Sequence, residues 1–288
     1  MAWVGRLNMS YVTPPTEIAQ TRRRRLLING KSGSRKTTAI LTTPRPIAVL
    51  SYPGELGWDT IPDGDPDILK LVWADDVGKA QDAMKVIKEI ESKALEVIAS
   101  GKYRSIWFEG LHHFTNLALD LVTDGAYLRG DEFEPKQYGL GYRVVFDHIT
   151  RMSNTNVPVV GWTCWAESKQ ERPKRPGEKQ EDIPKKVLSA LPGQLPHQIM
   201  GRFSVTLYQS LKVRKDKSGL SVKNERGEVI YDAMWQTRQA GDVLCAGLKG
   251  PANVVEKIPT FIPANYPALE AAWSQAEQAV KPTQEATK

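Results

Sequence analysis

The chain of 288 residues is 41% hydrophobic and 25% charged, and its formal net charge is +6. This balance is typical of a soluble globular protein with a substantial core, and it excludes fibrous chains and chains that are disordered throughout. No run approaches the roughly 18 consecutive apolar residues that a bilayer span requires, and the first residues lack the apolar core of a signal peptide, so we expect a cytoplasmic protein without a membrane partner.

The first half of the chain predicts strands that alternate with helices. An arm over residues 1–20 precedes a strand at Leu26–Asn29, a glycine-bearing turn and a helix from Lys36. Further strands are predicted over 46–51, 68–73, 104–108 and 157–165, and further helices over 75–100, 111–122 and 138–152. This alternation predicts an α/β fold with a mostly parallel sheet, flanking helices and ligand sites at the carboxyl ends of the strands.

The composition changes after Glu167. Residues 169–186 are charged and contain Pro and Gly, which predicts a mobile basic loop that we extend to residue 197. From Lys169 to Arg226 there are 14 Lys and Arg against 6 Asp and Glu, so this segment carries +8 and the remainder carries −2. Additional strands (203–213, 221–223, 229–231, 243–248), a helix (267–280) and a disordered tail (281–288) complete the prediction, with one domain over 21–280.

The turn after the first strand carries a phosphate-loop motif. GKSGSRKT, from Gly30 to Thr37, matches the pattern of Gly, four residues, Gly, Lys and Ser or Thr, except that Arg35 replaces the second Gly. Backbone N–H groups of such a loop surround phosphates, Lys36 reaches the β- and γ-phosphates, and Thr37 ligates Mg²⁺. Arg35 strains the loop if its position needs a positive φ, or else contacts phosphate itself. The predicted ATP-binding residues are Gly30, Lys31, Ser32, Gly33, Ser34, Arg35, Lys36, Thr37 and Thr38. The alternative is an ordinary turn between a strand and a helix.

Two acids follow later strands. Glu109 ends the apolar strand over 104–108, so we predict that it holds Mg²⁺ together with Thr37. Glu55 follows the second strand and would act as the general base that orients water, if it faces the same crevice. The alternative for both is a surface carboxylate. His112 and His113 occupy adjacent helical positions, which do not share a face, so a metal-binding pair is not expected there.

With these elements placed, the chain from about Leu26 to Ala272 resembles the phage-encoded RecA-core ATPases, a group of phage nucleotide-binding proteins that includes single-strand-annealing recombination proteins. The shared features are the phosphate loop, the acid-bearing turn 53–57, the acid-ended strand 106–109, Gln137-Tyr138-Gly139 before a helix, a sensor-like strand over 157–167, and Leu191-Pro192-Gly193 before the strand at 203–208. The resemblance implies a RecA-like P-loop NTPase core that uses ATP and Mg²⁺. It also implies Glu55 as catalytic base, and Lys249 as a basic residue that reaches a neighbour's nucleotide.

The leading hypothesis is a Mg-ATP-binding protein, and a DNA-responsive ATPase, that acts on single-stranded DNA in phage recombination or replication in the host cytoplasm. The resemblance implies a homo-oligomer, and a single-strand-binding protein is a further candidate partner. The basic loop would neutralise DNA phosphates. Trp162 and Trp165 are expected to pack in the core because their neighbours are apolar, and the alternative is that they offer stacking faces to bases. Two alternatives stay open: a P-loop kinase acting on a small molecule such as a nucleotide, and a nucleotide-binding structural or packaging partner with little hydrolysis.

Overall fold

The computed structural model describes residues 23–73, 80–170 and 185–280. The arm over 1–20, residues 171–184 of the predicted basic loop and the tail over 281–288 therefore lie outside the described residues. The strands are β1 (Arg24–Gly30), β2 (Ile47–Ser51), β3 (Ile68–Val72), β4 (Ser105–Glu109), β5 (Val159–Gln170), β6 (Lys185–Ser189), β7 (Val205–Val213), β8 (Tyr231–Gln236), β9 (Gly247–Leu248) and β10 (Phe261–Pro263). The helices are α1 (Lys36–Ile40), α2 (Ala80–Ala99), α3 (Leu111–Val122), α4 (Ala126–Arg129), α5 (Pro135–Ser153), α6 (Leu195–Ile199), α7 (Ala252–Val255) and α8 (Tyr266–Gln278).

The strands form one mixed sheet in the order β10-β8-β7-β1-β5-β4-β2-β3. The pairs from β7 through β3 are all parallel, whereas β8 pairs antiparallel with β7 and β10 pairs antiparallel with β8. β6 and β9 add antiparallel pairs to β5 and β7. The predicted α/β architecture, with a mostly parallel sheet and additional C-terminal strands, is confirmed.

Helices cover both faces of the sheet because alternate residues of the buried strands point to opposite sides. Leu27 of β1 packs in the cluster that contains α2, α3 and α5, while its neighbours Leu26 and Ile28 pack in the cluster that contains α1, α7 and α8. Trp107 lies so close to Gly161 of the neighbouring strand that a Cβ on Gly161 would approach the indole to 2.3 Å. Only glycine at 161 therefore leaves room for the Trp107 ring.

The strand register brings several predicted functional segments to one edge of the sheet. Gly30, the last residue of β1, is paired with Trp165 on one side and Gln209 on the other. Ser51 at the end of β2 is paired with Glu109 at the end of β4. The loops that follow β1, β2 and β4 therefore all leave the sheet at the carboxyl ends of parallel strands, with β5 between β1 and β4.

The predicted mobile loop over 169–197 is wrong where the structure describes it. Lys169 and Gln170 continue β5, and residues 185–189 form β6, which pairs antiparallel with 166–170. Residues 195–199 form α6, with Leu195 and Ile199 fully buried. Backbone pairing with β5 orders residues 185–189, and burial of apolar side chains orders residues 195–199. The charged composition of the segment revealed neither of these contacts. Residues 171–184 lie outside the described residues.

Smaller differences concern element ends. The helix predicted over 75–100 is described from Ala80, the strand expected over 243–248 is regular only at Gly247–Leu248, and the hairpin around 224–227 is held by isolated bridges. Helix α5 starts at Pro135 instead of residue 138 because Glu134 and Gln137 form a capping box. Both cysteines are buried and unlinked, as expected of core residues. Among the described residues, every helix is too short or too polar to span a bilayer.

Candidate functional site: the phosphate-loop pocket

The phosphate loop connects β1 to α1 and forms one wall of a pocket of about 480 Å³. The opposite wall comes from the turn after β2, which contains Glu55, and from the ends of β4 and β5. Gly30 is required at the start of the loop, since a Cβ there would lie 2.5 Å from Ser34 Oγ and 2.8 Å from the Gln209 carbonyl oxygen. The phosphate loop, Glu55 and Glu109 thus line one pocket, in agreement with the expectation that they face the same crevice.

Arg35 has the backbone conformation that the motif normally assigns to glycine. Its φ of 66° and ψ of 33° are left-handed, and the residue stands at the N-cap of α1. The left-handed conformation costs a residue with a Cβ about 1–2 kcal/mol. Of the two outcomes open for Arg35, the structure shows the strained one, and the exposed side chain also lines the pocket.

Lys36 is almost buried, with 9% of its surface exposed. Its ammonium donates hydrogen bonds to the carbonyl oxygens of Gly30 (3.0 Å) and Lys31 (3.1 Å), so it lies inside the curve of the loop. Burial lowers the pKa of Lys36, and the neighbouring carboxylates Glu55 and Glu109 oppose that shift. The loop therefore places a cationic donor against the position where a bound phosphate would lie.

Thr37 and Glu109 meet directly across the pocket. The Thr37 hydroxyl donates a hydrogen bond to Glu109 Oε1, and both side chains are buried. Burial is the largest cause that raises the pKa of Glu109 to about 7; the Glu55 carboxylate adds to the rise, and the bond from Thr37 opposes it. The two residues predicted as Mg²⁺ ligands are thus in contact, although one follows β1 and the other ends β4.

Glu55 lies beside this pair. Its Oε1 accepts a hydrogen bond from the Gly57 N–H at 3.0 Å, and only 9% of the residue is exposed. A Cβ on Gly57 would lie 2.7 Å from Thr37 Oγ1, 3.0 Å from Glu109 Oε1 and 3.2 Å from Glu55 Oε1. Three side-chain oxygens therefore surround Gly57, and glycine is the residue that allows the turn to approach them.

The residues present fit Mg²⁺, which prefers hydroxyl, carboxylate and water oxygens as ligands. Thr37 and Glu109 supply two such donors, and Glu109 Oε2 is buried without a hydrogen-bond partner in the part of the chain that the structure describes. A buried polar atom without a partner costs roughly 1–3 kcal/mol, more if it is charged, and a bound cation would remove that cost. The predicted pair of metal ligands is chemically and geometrically consistent with this ion.

His112 and His113 lie together behind Glu55, which corrects the expectation that adjacent helical positions keep them apart. Their ring centroids are 4.0 Å apart, and the Trp165 ring stacks on His112 at 4.3 Å. Both histidines belong to the first turn of α3, directly after Gly110, whose φ of 90° sets how the helix starts. Burial, together with His113 and Lys36, lowers the pKa of His112 to about 2, so this imidazole is neutral at physiological pH.

The two tryptophans predicted to pack in the core differ. Trp162 is fully buried against Phe108, with ring centroids 5.1 Å apart, as predicted. Trp165 is 39% exposed and lines the pocket. The prediction for Trp165 is therefore wrong, because the pairing of β5 with β1 ends at that residue and its side chain faces the crevice.

Gln209 is a site residue that the sequence reasoning missed. Its Nε2 donates to the Ser34 carbonyl at 2.6 Å, and its Oε1 accepts from Trp235 Nε1 at 2.8 Å. The side chain is 1% exposed, so it joins the phosphate loop to the buried ring on β8. The available signal in the sequence was a glutamine directly after the predicted strand segment 203–208.

Lys249 is not brought to this pocket within its own chain. Its N–H donates to the Ser204 carbonyl at 2.9 Å and its ammonium donates to the Gly201 carbonyl. Leu248 pairs with Val205, at the amino end of β7, whereas the phosphate loop lies beside Gln209 at the carboxyl side. The two sites are at opposite edges of the sheet, so the role predicted for Lys249 requires a second subunit.

No family model and no curated protein matches the chain. Similar solved structures include a prototypical ATPase from the type III secretion system of pathogenic bacteria, at 13% identity and a TM-score of 0.41. Another is the assembled ATPase EscN of the type III secretion system of enteropathogenic E. coli, at 15% identity and a TM-score of 0.41. Each match covers 65% of this chain, but only 51% of the first neighbour and 43% of the second. The case for the site rests on the residues of this chain alone.

Proposed function

We propose that this chain is a Mg-ATP-binding ATPase with a RecA-like P-loop core. The observation that carries the proposal is the contact between Thr37 and Glu109, 72 residues apart in sequence, beside the buried ammonium of Lys36. The hydroxyl and the ammonium belong to one glycine-bearing loop, and the carboxylate ends β4, two strands away in the sheet. These are the groups that phosphate and its Mg²⁺ require. An ordinary turn between a strand and a helix gives no reason to bury all three.

In the proposed reaction, water attacks the γ-phosphorus of ATP and the bond to the β,γ-bridging oxygen breaks, which yields ADP and inorganic phosphate. The Mg²⁺ held by Thr37 and Glu109 would neutralise phosphate charge. Lys36 donates to phosphate oxygens in place of the loop carbonyls that it contacts now. Glu55, fixed by the Gly57 N–H, accepts the proton of the attacking water.

Glu55→Gln should therefore preserve ATP binding and stop ATP turnover. Turnover at the wild-type rate would contradict the role of Glu55 as the base.

Single-stranded DNA is the proposed activator. Strand β5 passes the phosphate pocket at Trp165 and continues for five residues, 166–170, beyond the end of β1. The end of this extension and its partner β6 belong to the first part of the span 169–226, in which 14 Lys and Arg stand against 6 Asp and Glu. A basic segment attached to a pocket wall would bind DNA phosphates and also change the position of that wall. Such binding weakens as salt rises, because it releases counterions.

A homo-oligomer in which Lys249 reaches a neighbouring subunit's nucleotide is part of the same proposal. Lys249 is exposed and lies at the opposite edge of the sheet from its own pocket. If subunits stack head to tail, the edge that carries Lys249 in one subunit approaches the phosphate pocket of the next subunit.

Lys249→Ala should then lower the ATPase rate of the oligomer without weakening ATP binding. A wild-type ATPase rate of the variant, at a concentration that supports assembly, would contradict the role of Lys249.

ATP hydrolysis with and without single-stranded DNA, at two salt concentrations, tests the activity. We expect DNA to stimulate the wild type and high salt to remove the stimulation. Replacing Arg172, Lys174, Arg175 and Lys179 with glutamine should reduce the stimulation but not the basal rate. The control variant replaces Lys85, Lys88 and Lys93 with glutamine, since these three lysines are exposed on α2. Equal stimulation in both charge variants would contradict the DNA role, and unstimulated turnover would favour an enzyme acting on a small molecule.

A further inference from the structure

The cluster formed by Glu55, His112 and His113 is not explained by ATP binding. Each residue offers one ligand atom, and these three atoms lie within 4.8 Å of one another. His112 is 6% exposed, and neither of its ring nitrogens has a hydrogen-bond partner among the described residues. A buried imidazole normally pairs both nitrogens, because leaving them unpaired costs free energy. Within the described part of the chain, His112 therefore lacks the hydrogen-bond or metal partner that a buried imidazole needs.

The local backbone lets the three side chains of the cluster approach one another. Gly54 and Gly110 have φ values of 88° and 90°. A Cβ on Gly54 would lie 2.8 Å from His113 Nδ1, and one on Gly110 would lie 3.0 Å from Glu55 Oε2. Two glycines thus allow the turn after β2 and the start of α3 to approach closely enough for the carboxylate and the imidazoles to converge.

We propose that Glu55, His112 and His113 bind a divalent transition-metal ion of the Zn²⁺ type at the edge of the phosphate pocket. Two imidazole nitrogens and one carboxylate oxygen form a common Zn²⁺ ligand set that leaves a fourth position open. Mg²⁺, by contrast, favours oxygen ligands, so this site and the Thr37–Glu109 pair select different ions. Ligand atoms around a tetrahedral Zn²⁺ are about 3.3 Å apart, so binding would draw these side chains together by roughly 1.5 Å at most.

The surroundings suit such an ion. The Trp165 ring covers one face of His112 and restricts its rotation. The Lys36 ammonium lies near the cluster and would repel a cation, but the Glu55 and Glu109 carboxylates that interact with it offset this repulsion. The fourth position would face water or a phosphate oxygen in the pocket. If Glu55 is also the base for hydrolysis, as the proposed function holds, the bound ion removes that base and inhibits the ATPase.

Metal titration of the nucleotide-free, full-length protein without a polyhistidine tag tests the site. Co²⁺ binding is followed by visible absorption and Zn²⁺ binding by calorimetry. We expect one equivalent of either ion to bind the wild type, with at least about tenfold weaker binding after His113→Gln or His112→Gln. The control His197→Gln changes an exposed histidine on α6 and should bind like the wild type. Circular dichroism checks folding, and if His112→Gln does not fold, the more exposed His113→Gln decides.

Equal affinity in the wild type and His113→Gln, or the absence of one-equivalent binding to the wild type, would overturn the proposal. A second measurement adds Zn²⁺ to the ATPase reaction at saturating Mg-ATP. We expect inhibition of the wild type and resistance of His113→Gln. Because the titration needs no ATP, it decides the metal site even if the chain hydrolyses nothing, so failure of the proposed function and failure of this inference give different results.

Discussion

Glu109 connects the metal site to the stability of the fold. Its pKa is raised to about 7, mainly by burial, so between about pH 4.5 and pH 7 the folded state binds more protons than the unfolded state. In that window the slope of unfolding free energy against pH is negative. We expect the Glu109 contribution to be complete below pH 4.5 and to be lost as the pH rises to 7, a change on the order of 3 kcal/mol.

Denaturant unfolding of the wild type and Glu109→Gln between pH 4.5 and pH 8, without Mg²⁺, measures this contribution. Other groups titrate in both proteins, so the difference between the two curves isolates Glu109. The stability advantage of the variant should grow as the pH rises. A constant difference across the range would mean that Glu109 titrates normally in the folded protein.

Arg35 carries the strain of the phosphate loop. Because its φ is 66°, Arg35→Gly should raise the unfolding free energy by about 1 kcal/mol, whereas Arg35→Ala should not, since alanine keeps the unfavourable conformation. The alanine variant also controls for loss of the guanidinium. Equal stability of the two variants, measured by urea unfolding, would show that the loop relaxes or that the strain is compensated.

At the scale of elements, Gln209 links the phosphate loop to strands β7 and β8. Removing its amide would leave the Ser34 carbonyl and the Trp235 N–H unpaired, each at a cost of roughly 1–3 kcal/mol. Gln209→Leu should therefore weaken ATP binding by about tenfold or more, because the loop loses its support without losing a phosphate contact.

Gln236→Leu is the matched control, since Gln236 is also buried but bonds to the carbonyls of Arg238 and Ala240, away from the loop. Fluorescence titration with a labelled ATP analogue compares the variants. Equal affinities in the two would show that the loop keeps its shape without Gln209.

Periodicity and local motifs predicted the elements whose residues lie close in sequence. The strand–loop–helix from Arg24 to Ile40 and the helix α3 could be located because apolar spacing and glycine mark them directly. Strand β6 could not, because its pairing with β5 is a contact between distant segments in a charged context. The convergence of His112 and His113 was missed because adjacent helical positions point in different directions, yet the two rings still approach to 4.0 Å.

At the scale of the whole molecule, the parallel sheet explains how the site forms. Its strand order and register place the carboxyl ends of β1, β4 and β2 along one edge, with β5 between β1 and β4. Lys36, Glu55 and Glu109 therefore line one pocket, although they are far apart in the sequence. The sequence predicted each of these residues from its position after a strand. It did not predict Gln209, Gly57 or Trp165, because their roles depend on strand order and on close approach. Lys249 falls at the other edge of the sheet for the same reason.

Binding of Mg-ATP to the wild type and to Lys36→Ala, measured by calorimetry, tests the central claim most directly. Lys85→Ala, an exposed lysine on α2, serves as the control. We expect one Mg-ATP per chain for the wild type and the control, weaker binding when EDTA removes Mg²⁺, and no detectable binding by folded Lys36→Ala. Unaltered affinity in Lys36→Ala would contradict the assignment of Gly30–Thr38 as the ATP site, and with it the proposed ATPase.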